Sequence, residues 1–168
     1  MSLEPTPTRL QRTYPAILAL IGVGTLITAY TAEYAFRLEP CNLCLFQRVP
    51  YVAIAFIGWI GLKRPNWMSA GNLTATASFV FLISAAIAIY HVGVEQHLWQ
   101  SVAGCGGNAG QKISINQLQE LLQKKPPKAC AEVDWSLFGV SMATYNAFFS
   151  LILAGITFNV AKRLWRTS

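Results

Sequence analysis

Four stretches of the chain are almost wholly apolar, and each is bounded by charge, proline or glycine. They cover about 16–32, 45–62, 73–90 and 142–161, the first closing through the weakly polar Tyr30-Thr31-Ala32. Crossing the hydrocarbon layer takes roughly 20 mostly apolar residues, so each stretch predicts a span. The spans must be helices, because a lone strand in lipid leaves its backbone groups unsatisfied. A closed barrel would instead need many alternating segments of about ten residues, and the sequence has none. The pattern predicts an all-α membrane protein: a four-helix transmembrane bundle, with residues 1–168 as a single integral domain.

The polar connections carry the rest of the pattern. A short loop spans about 33–44, a tight turn with Pro65 and Gly71 joins the second and third runs, and a long loop covers about 91–141. Within the long loop Ile113, Ile115, Leu118, Leu121 and Leu122 alternate with Gln111, Gln117, Glu120 and Lys124. That spacing predicts a short amphipathic helix, lying on the membrane surface or packed over the span ends. Pro126-Pro127 stops it just before Cys130. Gly104, Gly106, Gly107 and Gly110 surround Cys105, predicting a mobile backbone there. No small-x-small site with a polar sequel follows the first run, so it is expected to be an uncleaved anchor.

Composition agrees with the membrane reading. The chain is 54% hydrophobic and 12% charged, whereas a soluble domain carries about 25% charged residues. A net charge of +6 could suggest nucleic acid, but the basic residues form small groups between apolar runs rather than one patch. No nucleic-acid partner is expected. Arg9, Arg12, Lys63, Arg64, Lys162, Arg163 and Arg166 fall on one face of the bundle. On the other face Lys112, Lys124, Lys125 and Lys128 are offset by Glu95, Glu120, Glu132 and Asp134, leaving Arg37 and Arg48. The positive-inside rule then places both termini in the cytoplasm and every cysteine on the outer side, the periplasm of a bacterial inner membrane.

The four cysteines carry the candidate chemistry. Cys41 and Cys44 form a C-x-x-C, one helical turn apart, which closes almost no loop and has little value as a staple. Its usual uses are redox exchange and metal binding. A structural zinc takes four ligands, but Cys105 and Cys130 are not a second C-x-x-C, and only His91 and His97 could complete a set; no metal is expected. Both sulfurs fall at the start of the second helix, where partial positive charge favours thiolate. Arg48 lies one turn beyond Cys44 on the same face, placed to stabilise a thiolate or bind a ligand's carbonyl oxygen. Gln47 and Arg48 inside an apolar segment are costly without partners. His91, at the outer end of the third run, could donate to a bound oxygen or relay a proton, with Glu95 one turn on to orient it or serve as a proton outlet. Were Cys105 and Cys130 a static bridge, closing about 25 residues would stabilise the fold by roughly 3–4 kcal/mol; the glycine-rich, exposed setting suits a labile bond instead.

These residues carry a resemblance. The stretch Cys41-Asn42-Leu43-Cys44-Leu45-Phe46-Gln47-Arg48 resembles the C-x-x-C-x-x-x-R signature of the disulfide bond formation protein B (DsbB) family. The likeness continues through Tyr90-His91-Val92-Gly93-Val94-Glu95-Gln96, Cys105, Cys130 and the run from Trp135 to Met142. The resemblance implies a quinone-dependent thiol oxidase that reoxidises a periplasmic, DsbA-like thioredoxin-fold protein. It further implies a loop disulfide Cys105–Cys130 that the reduced partner attacks, and a second redox-active disulfide, Cys41–Cys44. Electrons would leave Cys44 for a membrane quinone, ubiquinone or menaquinone, held near Arg48 and His91. Two other readings compete: a non-enzymatic membrane protein with a structural bridge and a metal-binding or redox-sensing C-x-x-C, and the same chemistry run in reverse.

Overall fold

The structure, a computed structural model, describes residues 9–64, 67–99, 101, 130–131 and 135–166. Four helices account for most of them: α1 (Arg9–Ala35), α2 (Asn42–Lys63), α3 (Ala70–Glu95) and α4 (Met142–Arg166). All four are long and apolar enough to cross a membrane, as the apolar runs predict. The predicted amphipathic helix at 111–124 lies outside the described residues.

Each helix outruns its apolar stretch, and in α2 and α3 caps set the ends. Ser69 caps α3, its hydroxyl accepting from the Asn72 amide at 3.2 Å. At the other end α3 continues one turn past Tyr90 to Glu95, so His91 lies inside the helix. A two-residue-per-strand hairpin, β1 (Ser136–Leu137) and β2 (Val140–Ser141), leads directly into α4. Its tip has φ of +51° at Phe138 and +77° at Gly139, the left-handed pair that a tight two-residue hairpin demands.

Without a hydrophobic drive between helices in lipid, packing rests on close approach and polar contacts. Along the α1–α2 seam a Cβ added at Gly22 would sit 2.6 Å from the Ala55 amide nitrogen and 2.7 Å from the Tyr51 carbonyl. The α3–α4 seam is built from small buried residues, among them Ala77, Ser78, Ser84 and Ala85 facing Ala147, Ser150 and Ala154. Ser78 donates to the Ala154 carbonyl at 2.9 Å, and the Ser84 and Ser150 hydroxyls meet at 3.0 Å. α2 also packs on α3, whereas α1 and α4 are not a major packing pair among the described residues. The space between those two helices holds the cavity described next.

Candidate functional site

The site is built on the first turn of α2. Cys41 is the helix N-cap, with an extended backbone (φ −73°, ψ 167°), and its sulfur accepts from the Cys44 amide at 3.4 Å. The one-turn spacing brings the two sulfurs to 3.1 Å as free thiols. Across the helix pair, His91 Nε2 stands 3.6 Å from Cys41 Sγ. The Cys41 thiol is held well below its ordinary value of 9.0, to about 4. A hydrogen bond from the Cys44 thiol is the largest cause, burial opposes it, and His91 adds to the lowering.

Cys130 is disulfide-bonded and 1% exposed, and it belongs to the same apolar cluster as Cys41, Leu43 and Val94. Cys105, its expected partner, lies outside the described residues. Three of the four cysteines and His91 are therefore brought together. His97 is not with them: it is exposed on the turn after α3, its Nδ1 3.0 Å from the Glu95 carbonyl. Cys41, Cys44 and His91 present three donor atoms within 4.8 Å of one another, one fewer than a structural zinc takes.

Charge surrounds this centre. Arg48 Nη1 donates to Glu33 Oε2 at 2.6 Å, and its guanidinium carbon lies 4.8 Å from the centre of the Tyr30 ring. Glu95 is enclosed between α3 and the hairpin: Oε1 lies 3.8 Å from His91 Nε2, and Oε2 accepts from the Ser141 hydroxyl. Gln47, 8% exposed, bonds His91 Nδ1 through its side-chain nitrogen at 2.7 Å and accepts from Asn146 Nδ2 at 2.6 Å. Asn146 Oδ1 in turn accepts from the Tyr51 hydroxyl, which meets Ser150 at 3.0 Å. Sequence reasoning flagged the cost of burying Gln47 and Arg48 but found neither Glu33 nor Asn146. Glu33 had a usable signal, a carboxylate within reach of a membrane helix. Asn146 had none, standing 99 residues from the side chain it holds.

A cavity of about 830 Å³ opens between α1, α2 and α4. Leu20, Gly24, Leu26 and Phe149 line its apolar body, while Glu33, Cys44, Gln47, Arg48, His91 and Glu95 supply its polar lining. An apolar cleft with a few polar groups at one end is the usual form of a small-molecule site. Its lining suits a small molecule with an apolar body and a polar end.

A model of the disulfide bond formation protein DsbB family matches residues 11–160. The chain belongs to the DsbB family. Among its relatives, a disulfide bond formation protein B of Acinetobacter baylyi is 29% identical over 152 residues, 88% of this chain and 89% of the relative. The Dechloromonas aromatica protein of the same name is 29% identical over 153 residues, covering 86% and 87%. An uncharacterized Rickettsia prowazekii protein, RP370, is 29% identical over 141 residues, covering 82% and 80%. Family membership makes the chain a membrane oxidoreductase of disulfide bond formation.

Proposed function

We propose that this DsbB-family chain reoxidises a periplasmic thioredoxin-fold, DsbA-like dithiol protein and passes the electrons to a membrane quinone. The observation that carries this reading is the position of Cys41. On one side it shares a buried cluster with the disulfide-bonded Cys130. On the other it contacts Cys44, and both border a cavity of quinone-compatible size and polarity.

The chemistry runs as two exchanges. The partner's dithiol reduces the Cys105–Cys130 disulfide and leaves as a disulfide. The loop dithiol then reduces the Cys41–Cys44 disulfide: one S–S bond forms, one breaks, and two electrons with two protons stay on Cys41 and Cys44. Attack at Cys41, the sulfur that shares a buried cluster with Cys130, would release Cys44 beside the cavity. A bound quinone supplies a two-electron, two-proton sink. Cys44, Arg48 and His91 border the cavity in which its ring would sit, and the apolar walls from α1 and α4 would exclude water.

Purified protein mixed with reduced partner and a short-chain quinone should oxidise the partner while quinone absorbance falls; no change in either sinks the proposal. Cys44→Ala is expected to lose quinone reduction and keep thiol exchange at the loop pair, and full activity in that variant defeats the electron path. The proposed setting is the bacterial inner membrane, with both termini cytoplasmic and the cysteines periplasmic. Alkaline phosphatase fused after Ser168 should then be inactive, and an active fusion would reverse the orientation.

A further inference from the structure

We infer that Gln47 and Asn146 are positioning residues that hold His91 as a neutral imidazole with its proton on Nε2, directed at the Cys41 sulfur. The inference rests on contacts among α2, α3 and α4 and holds whatever the electron acceptor. A ring nitrogen carries the proton or a lone pair according to what faces it. Nδ1 faces the Gln47 side-chain nitrogen at 2.7 Å, a donor, and so must accept. Gln47 cannot turn over alone, because its Oε1 accepts from Asn146 Nδ2 at 2.6 Å. Asn146 is held in its turn by two donors at its Oδ1, the Tyr51 hydroxyl and the Ser150 hydroxyl at 3.4 Å.

Nε2 has the opposite surroundings. Cys41 Sγ lies 3.6 Å away and Glu95 Oε1 3.8 Å away, and both accept when ionised. Donors crowd one nitrogen and acceptors the other, so the two ends of the ring select the same tautomer. An imidazolium would require Gln47 and Asn146 both to reverse and Asn146 to give up its two donors. Cys44, Arg48 and Tyr51 on α2, Glu33 on α1, Glu39 before α2, Glu95 on α3 and Tyr145 on α4 are the other titratable groups that line this cavity, and the α4 residue in the chain of bonds to the ring is the neutral Asn146.

The consequence is chemical. His91 can stabilise negative charge on Cys41 but cannot take its proton, since Nε2 already bears one and the Nδ1 lone pair is engaged. Of the two roles expected from sequence, donor to a bound oxygen or proton relay, the geometry removes the relay and turns the donor toward the Cys41 sulfur.

The test is the nitrogen spectrum of the full chain in nanodiscs, labelled with ¹⁵N-histidine; the chain has two histidines, and His97→Gln assigns them. At neutral pH the reduced protein should show a pyridine-type Nδ1 and a pyrrole-type Nε2 for His91. In Asn146→Asp the carboxylate cannot donate, Gln47 turns its NH2 toward it, and the His91 proton is expected to move to Nδ1. Gln47→Met removes the donor at Nδ1 and should mix the tautomers. In Asn146→Asp alkylation of Cys41 is expected to slow by about tenfold, the loss of one hydrogen bond to a charged sulfur, and in Gln47→Met by less. A wild-type imidazolium or Nδ1–H form overturns the inference, as does an unchanged Nε2–H signature in both folded variants. Neither quinone nor partner enters the measurement, so its failure is separate from failure of the proposed oxidase activity.

Discussion

At the scale of single residues, Cys41 and Cys44 differ more than their shared motif suggests. Cys41 caps a helix, receives the Cys44 amide and thiol, and faces His91, while Cys44 borders the membrane cavity. The C-x-x-C and the following Arg were legible as a redox signal because one helical turn brings such residues together in any helix. Their inequality was not legible, since it depends on which sulfur accepts from the other at the helix cap, on burial and on His91 of α3. The lowered thiol gives a direct expectation. An ordinary thiol near 9.0 loses about tenfold of its thiolate for each pH unit below that value. Cys41, depressed in the folded protein, should instead keep its iodoacetamide reactivity almost constant from pH 8 to pH 6. Cys44→Ala should restore a steep fall over that range, because the Cys44 thiol is the largest cause of the depression. A steep fall in the unsubstituted protein would show Cys41 to be an ordinary thiol.

At the scale of elements, the four helices were readable from apolar run length alone, and their ends were not. Lipid requires a continuous hydrogen-bonded backbone, so a long apolar run has one outcome. The ends depend on caps such as Cys41 and Ser69 and on the hairpin at Ser136–Ser141, which sequence reading passed over as loop. The hairpin matters because Ser141 reaches Glu95 from it. Helix contact adds a testable asymmetry within α1. Gly22 is pressed against the α2 backbone, whereas Gly24, two residues on, has nothing within 4 Å of an added Cβ. Gly22→Ala should destabilise the protein by about 1–3 kcal/mol through overpacking, and Gly24→Ala should not. Thermal unfolding in one detergent compares them, and equal effects would remove close approach as the reason for Gly22.

At the scale of the whole molecule, the proposed function depends on one end of the bundle bringing Cys130 and the cavity to either side of the Cys41–Cys44 turn. α3 is the most enclosed helix and α1 the least, and the cavity lies on the loosely held side. That placement gives a lipid-soluble ligand lateral access without opening the α3–α4 core. Gly24 lines the cavity and has room beside it. Gly24→Phe should therefore raise the apparent KM for quinone by about tenfold, roughly 1.4 kcal/mol of lost binding. Thermal stability and exchange at the loop cysteines should be unchanged. An unaltered KM would mean that the quinone binds elsewhere.

The sequence by itself determined the four spans, and it led to the expectation of a common outer face for the cysteines and of redox character for Cys41-x-x-Cys44. Each is a local consequence of apolar length, charge placement or helical spacing, and no contact between distant residues is needed to read it. Only the tertiary structure decided that Cys130 lies beside Cys41, that Arg48 is already held by Glu33, and that Asn146 sets the amide of Gln47 against His91. Those are relations between side chains on different helices. They follow from how closely the α1–α2 and α3–α4 seams allow the backbones to approach, which the order of apolar and polar residues along one chain does not record.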